Sequence, residues 1–295
     1  MRQGGPVSQF LRKHFTHYNA GELIRAADAY KAQLAKGNGM MVTLAGAMST
    51  GELGKSLAEM IRRGYVHAIS STGANVEEDI FNLIGHDEYK MLPKYRDMTP
   101  HDDAVLEKQG MPRVTDAAIS EELAMGPVTK AVLKLWQAAD AARKPQFHHQ
   151  FLYQLLNDGT LKSKYQIDPK DSWMIEAAKR NLPMVVPGAA DSTLGNGFAA
   201  ACLRGEIHDA TTIRSDFEAM VWLAGFYADF TKRGRQMGFF QIGGGIAGDY
   251  PICVVPMLKL DLKRDQTPYW SYFFQVTDAT TSYGGYSGAL PREKL

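Results

Sequence analysis

Two adjacent carboxylates, Glu77 and Glu78, follow closely on Ser71-Thr72-Gly73-Ala74-Asn75, a run of small and hydroxyl-bearing residues. That combination has chemical use. Glycine lets a backbone approach a ligand closely, and hydroxyls donate to phosphate or ribose. A helix starting after such a loop offers free amides and the positive end of its dipole to an anion. A carboxylate at the mouth of the loop can hold a ribose hydroxyl or a cationic substrate. Acids also favour helix starts for the dipole alone, with Asn75 as a cap, so the doublet has a purely structural reading too.

Three further loops share this composition: Ser49-Thr50-Gly51, Asp191-Ser192-Thr193-Leu194-Gly195 and Gly243-Gly244-Gly245. One such turn means little, because strand-to-helix connections use glycine anyway. Four of them point to a nucleotide-like ligand. Asp191 and Asp249 lie beside glycines, where turn chemistry accounts for many aspartates. No G-x-G-x-x-G fingerprint is read, so a standard dinucleotide fold is not indicated by motif. His148-His149 and His86-Asp87 invite a metal reading, but neither has i, i+4 spacing and cysteine partners are lacking, so no metal is predicted. Trp173, Trp222 and Phe239-Phe240 read as core.

The elements that must position these loops alternate. A helix is predicted over 20–36, with Leu23, Ala26, Ala27, Tyr30 and Leu34 on one side, then an apolar strand over 40–45 and a helix over 52–63. A second strand over 66–70 feeds a helix over 77–84. The rhythm returns with a strand over 182–186, a helix over 215–232, a strand over 237–242, a helix over 250–258 and a strand over 270–277. Short apolar strands alternating with helices predict an α/β fold: a Rossmann-like, doubly wound, mostly parallel sheet with helices on both faces. Right-handed crossovers then place the loops at one edge of the sheet. Residues 85–171, broken by Pro93, Pro100, Pro112 and Pro127 and with one clear helix over 128–143, read as an insertion or cap within a single domain spanning 1–295.

Composition narrows the class. With 33 basic and 32 acidic residues the net charge is +1, and no basic block supports a nucleic-acid partner. Cys202 and Cys253 are far apart in apolar stretches and suggest no disulfide framework. No stretch approaches a membrane span or a signal peptide, so a cytoplasmic location is expected and no membrane partner.

Together the loops, above all Thr72-Gly73-Ala74-Asn75-Val76-Glu77-Glu78-Asp79, with Gly243-Gly244-Gly245 and Ser287-Gly288-Ala289, resemble the deoxyhypusine synthase family over about residues 20–295. Gly-Gly-Gly-Ile-Ala-Gly-Asp-Tyr-Pro-Ile is closer to its bacterial, deoxyhypusine synthase-like branch. The resemblance implies a homotetramer binding NAD and a polyamine at subunit interfaces. It implies a transferase that moves an aminobutyl group from spermidine or a related polyamine to an amine acceptor, either a protein lysine or, as in homospermidine synthases, a small amine. A catalytically silent NAD- or polyamine-binding protein is the alternative from another class.

Carried over by position, the resemblance gives NAD contacts to Ala45, Gly46, Ala47, Met48, Ser49, Thr72, Gly73, Ala74, Glu78, Asp191, Gly244, Asp278 and Ala279. The amine site receives Glu77, Glu78, Gly284, Gly285, Tyr286 and Glu293. Asp249 stands where the family has a histidine, and Asn196 where it has an acid. The family's imine-forming lysine sits in a Trp-Gly-Lys segment after the position of Glu293, so it is expected beyond Leu295; Lys294 does not match it. A longer parent protein, with further elements closing the fold, is expected.

Overall fold

The centre of the molecule is a strand whose six residues are all buried, β1 (Gly39–Leu44), as its Met-Met-Val-Thr-Leu run dictates. The computed structural model describes residues 5–232, 234–281, 284–290 and 293. Two helices, α1 (Pro6–His14) and α2 (Tyr18–Ala35), precede β1. After it come α3 (Gly54–Arg62), β2 (Ala68–Ser71) and α4 (Gly73–Gly85). The stretch that follows holds β3 (Lys90–Met91), α5 (Pro100–Lys108), β4 (Arg113–Val114) and β5 (Ala117–Ala118). It continues with α6 (Gly126–Ala142), α7 (His148–Asn157) and α8 (Trp173–Lys179). The chain returns through β6 (Met184–Val185), α9 (Thr193–Leu203), α10 (Asp216–Thr231), β7 (Met237–Ile242), α11 (Gly245–Ile252) and β8 (Phe273–Val276).

Five strands form one parallel sheet in the order β6-β2-β1-β7-β8, with Val42 opposite Ile69 on one side and Phe240 on the other. Strand residues alternate between faces. Met40, Val42 and Leu44 join a core with Leu57, Ile61 and Ile80, whereas Met41 joins Leu223, Tyr227 and Phe239 on the opposite face. The expected doubly wound α/β sheet, with helices on both faces, is what is found. The chain winds outward from β1 to β2 and β6, then returns to build β7 and β8 on the other side. The order therefore reverses between β1 and β7, the place where open α/β sheets bind ligands.

The 85–171 stretch carries a small antiparallel sheet, β3-β5-β4. Its helices are not set apart: Trp136, Phe151 and Leu152 share a core with Val42 and Ile69. Proline-based punctuation concealed α5, and α7, α8 and α9 also lay outside the predicted helices. Other boundaries shift. α4 begins at Gly73 rather than Glu77, because the Thr72 side chain accepts the Asn75 amide and closes a helical turn through small residues. The helix predicted over 250–258 begins at Gly245, and the last strand is only Phe273–Val276. Leu23 is exposed on α2 although Tyr30 is buried. Cys253 is exposed, not sheltered as its apolar neighbours suggested. No helix among the described residues is long and apolar enough to cross a membrane. Ser282, Tyr283 and Lys294 lie outside the described residues.

Candidate functional site at the switch point

The loop after β1 is tied to the start of α4 by one side chain. Asn75 donates to the carbonyls of Ala45 (3.0 Å) and Gly46 (2.8 Å), and its Oδ1 accepts the Ser49 amide (3.0 Å) and hydroxyl (3.2 Å). Thr72 Oγ1 donates to Gly46 O at 2.6 Å, and Trp173 Nε1 to Ser49 Oγ at 3.0 Å. Ala45, Gly46 and Ser49 are thus tied to Thr72 and Asn75, with Ala47 and Met48 in the same loop and Gly73 and Ala74 in the first turn of α4. Asn75 and Trp173 organise this loop. The sequence offered them only as a helix cap and a core residue, because nothing local reveals a partner some 30 or 120 positions away.

On the far side of β1, Gly243 adopts φ +79° and a Cβ there would come within 2.8 Å of that of Ala45. Gly244 lies against Ser287, and Gly248 against the side chains of Gln241 and Tyr286. Gly243, Gly245 and Gly248 have the spacing G-x-G-x-x-G, so the fingerprint read as absent is present between β7 and α11. Its roles are met: a tight turn, close backbone approach and helix-on-strand packing. Nothing lies within 4 Å of where a Cβ would stand at Gly46 or Gly245, both at positive φ, so their backbones are open to a ligand. Asp278 lies exposed two residues past β8, with Ala279 beside it.

The carboxylates occupy one turn of α4. Being five and six residues into the helix, Glu77 and Glu78 are not the dipole-stabilised start that the doublet suggested. Glu77 turns to α9, where its two oxygens accept the Thr193 and Leu194 amides at 2.7 Å each. Burial pushes its carboxyl up, and those amides oppose the shift. Glu78 turns to the β1 loop and accepts the Thr50 hydroxyl at 2.6 Å. Burial, with Glu77 adding to it, pushes Glu78 up to about 7. Asp79, also raised by burial to about 6, holds the start of α8 through Ser172 and the Met174 amide.

The remaining residues are more scattered. Asp191 and Asn196 are exposed around the start of α9, whose Ser192 packs on Gly73. Asp249 is exposed on α11 near Tyr286: burial first, then Asp249 and Cys253, push that phenol up. The Tyr286 hydroxyl donates to Gln241 Oε1 at 3.1 Å. Gly284 and Gly285 precede it, exposed, and Glu293 lies exposed beyond. Gln275 ties this segment to the fingerprint, donating to the carbonyls of both Gly243 and Ser287 at 3.0 Å; neither glutamine stood out in sequence.

Open glycine backbones at a switch point, with buried acids beside them, are surroundings in which α/β sheets commonly hold phosphates and cations. The sequence also matches the family model described as deoxyhypusine synthase over residues 11–295. The chain belongs to the deoxyhypusine synthase family. It is 27% identical to a deoxyhypusine synthase-like protein of Thermosynechococcus vestitus, over 98% of this chain and 70% of that one. It is 26% identical to one of Elusimicrobium minutum, covering 94% and 69%. A protein of Archaeoglobus fulgidus named "Probable deoxyhypusine synthase 1" is 24% identical, over 99% and 85%. Family membership implies a transferase.

Proposed function

We propose that this protein is an NAD-dependent transferase that moves an aminoalkyl group from spermidine or a related polyamine to an amine acceptor. The observation that carries it is the G-x-G-x-x-G unit facing β1 across the switch point, with the buried Glu78 on the neighbouring loop's helix. The residues fit the cofactor. The open backbones of Gly46 and Gly245 and the start of α4 suit its phosphates. Asp278, past the strand that follows the fingerprint, suits a ribose hydroxyl. When bound, NAD would supply a hydride acceptor for the carbon next to a secondary amine.

The chain's own residues do the rest. Glu78 is held near neutrality by burial, so an ammonium arriving beside it restores the carboxylate and is fixed by it. Glu77 keeps α9 in register, and Asn75 keeps the β1 loop in the shape the cofactor meets. Asp249 and Tyr286 add an acid and an aromatic face for a polyamine's charges and methylenes. Asp249 in place of the family histidine favours a small-amine acceptor over a protein lysine. A homotetramer in which a second copy completes the amine site, a single domain with its cap at 85–171, and a cytoplasmic location belong to the same reading.

Incubating full-length protein with NAD and spermidine, agmatine or putrescine tests it. NADH absorbance and an aminoalkylated amine in the mass spectrum are expected. Neither appearing with any amine overturns the reading in favour of a silent binding protein.

A further inference from the structure

Among the described residues, four lysines have acidic company: Lys55, Lys170, Lys179 and Lys232 each reach a carboxylate. Three of the others converge. Lys130 and Lys134, one turn apart on α6, and Lys164, in the turn after α7, line a single cavity of about 460 Å³, and none is ion-paired among the described residues. Like charges one turn apart repel, so the helix gains nothing from this arrangement. The single acid of the cavity, Asp158, accepts the amide of Thr160 through Oδ1 at 2.8 Å. Leu135, Leu155 and Leu161 supply an apolar wall. A neighbouring cavity of about 610 Å³, lined by Asp140, Arg143, Lys144 and His208, shows the opposite pattern: acid and base are mixed, and Asp140 is committed to the His208 loop.

We propose that the Lys130–Lys134–Lys164 cavity binds a small organic phosphate, its anion on the three ammonium groups and its apolar body on the leucines. The volume suits a small molecule, and concave sites with an apolar lining and a few convergent charges are the usual form of such sites. The cavity is lined by none of the strand-end loops, so it is a second site and does not depend on the transferase reading.

Lysine acetylation read by mass spectrometry tests it residue by residue, in the full-length protein with NAD saturating. Phenyl phosphate at about ten times its Kd should slow acetylation of Lys130, Lys134 and Lys164 about tenfold while leaving the exposed Lys108 unchanged. Inorganic phosphate should protect more weakly, for want of an apolar body. A Lys130→Gln/Lys134→Gln/Lys164→Gln variant with the wild-type melting temperature should show no phenyl phosphate binding by calorimetry. No protection of the three, or equal protection of Lys108, overturns the proposal. So does protection by an oligoglutamate peptide alone, which would mean a protein partner, or by raised protein concentration alone, which would mean a second copy.

Discussion

Glu77-Glu78 on α4 and His148-His149 on α7 are similar in sequence, adjacent titratable pairs, and similar in burial, at 2%, 6%, 4% and 6% exposed. Their surroundings differ. The glutamates accept hydrogen bonds from the β1 loop and from α9. Among the described residues neither ring nitrogen of His148 has a hydrogen-bond partner. His149 lies between rings, parallel to Phe147 at 6.2 Å and edge-on to Tyr153 at 5.2 Å. Burial pushes the histidines down, to about 4 and about 3, and keeps them neutral. It raises the glutamates instead. Residue type and burial therefore do not make a site; partners brought from several strand ends do.

The sharpest break would come from Glu78→Gln, which keeps the shape and the Thr50 contact but removes the charge. Charge-assisted hydrogen bonds contribute about 1.5–3 kcal/mol, so calorimetry should show spermidine affinity falling roughly 10- to 150-fold. Unchanged affinity would remove Glu78 from the amine site. The pH dependence should follow the same group. A carboxylate titrating at about 7 binds a cation best above that pH, so affinity should drop about tenfold per unit below it. Glu78→Gln should abolish that slope; a slope that persists belongs to another residue.

Stability carries the opposite sign for the two pairs. Glu78 and Asp79 have folded-state values raised to about 7 and about 6. Between the ordinary carboxylate range and those values the folded protein holds more protons than the unfolded chain, so they cost stability as pH rises. The histidines are depressed and cost stability as pH falls from the ordinary histidine range toward about 4 and about 3. Glu77 tests the structural half of its doublet. Glu77→Ala leaves two α9 amides unpaired and should lower unfolding free energy by about 2 kcal/mol in urea melts. Glu77→Gln, which retains an acceptor, should recover part of that. An alanine variant of wild-type stability would mean that α9 does not depend on this side chain.

The sheet was legible in sequence because its strands are short apolar runs ending in glycine, and such runs have few other uses. The loops were legible for the same reason, and the resemblance supplied their order. What escaped depended on distance. Asn75 looked like a cap because a sequence shows its neighbours and not Ala45 or Ser49. The role of Glu77 was hidden because α9, rich in glycine and alanine, did not read as a helix with amides in need of an acceptor. The bounds of α4 were misjudged because Gly73 and Ala74 read as loop until the Thr72 cap is known. Gly243, Gly245 and Gly248 were passed over as a fingerprint because it follows β7, whereas the first strand is where such a unit usually stands.

The smallest effect is expected at the pair that is buried but unwired. His148→Leu replaces a side chain with two unpartnered nitrogens by an apolar one, in a site that already excludes charge. Removing an unsatisfied polar group for an apolar one of similar shape is close to neutral, so stability at neutral pH should change by less than about 1 kcal/mol, in either direction. Transfer activity should be unchanged, because the His148 side chain makes no hydrogen bond, among the described residues, to any residue assigned to the cofactor or the amine. The diagnostic difference lies at acid pH. Without His148 the unfolded chain has one fewer imidazole to protonate, so the loss of stability between the ordinary histidine range and about 4 should shrink. Urea melts from neutral pH down to about pH 5 measure this directly. A variant that loses several kcal/mol at neutral pH would show that His148 is held by a bound water or ion, and the contrast between the two doublets would then be one of partner type and not of partner number.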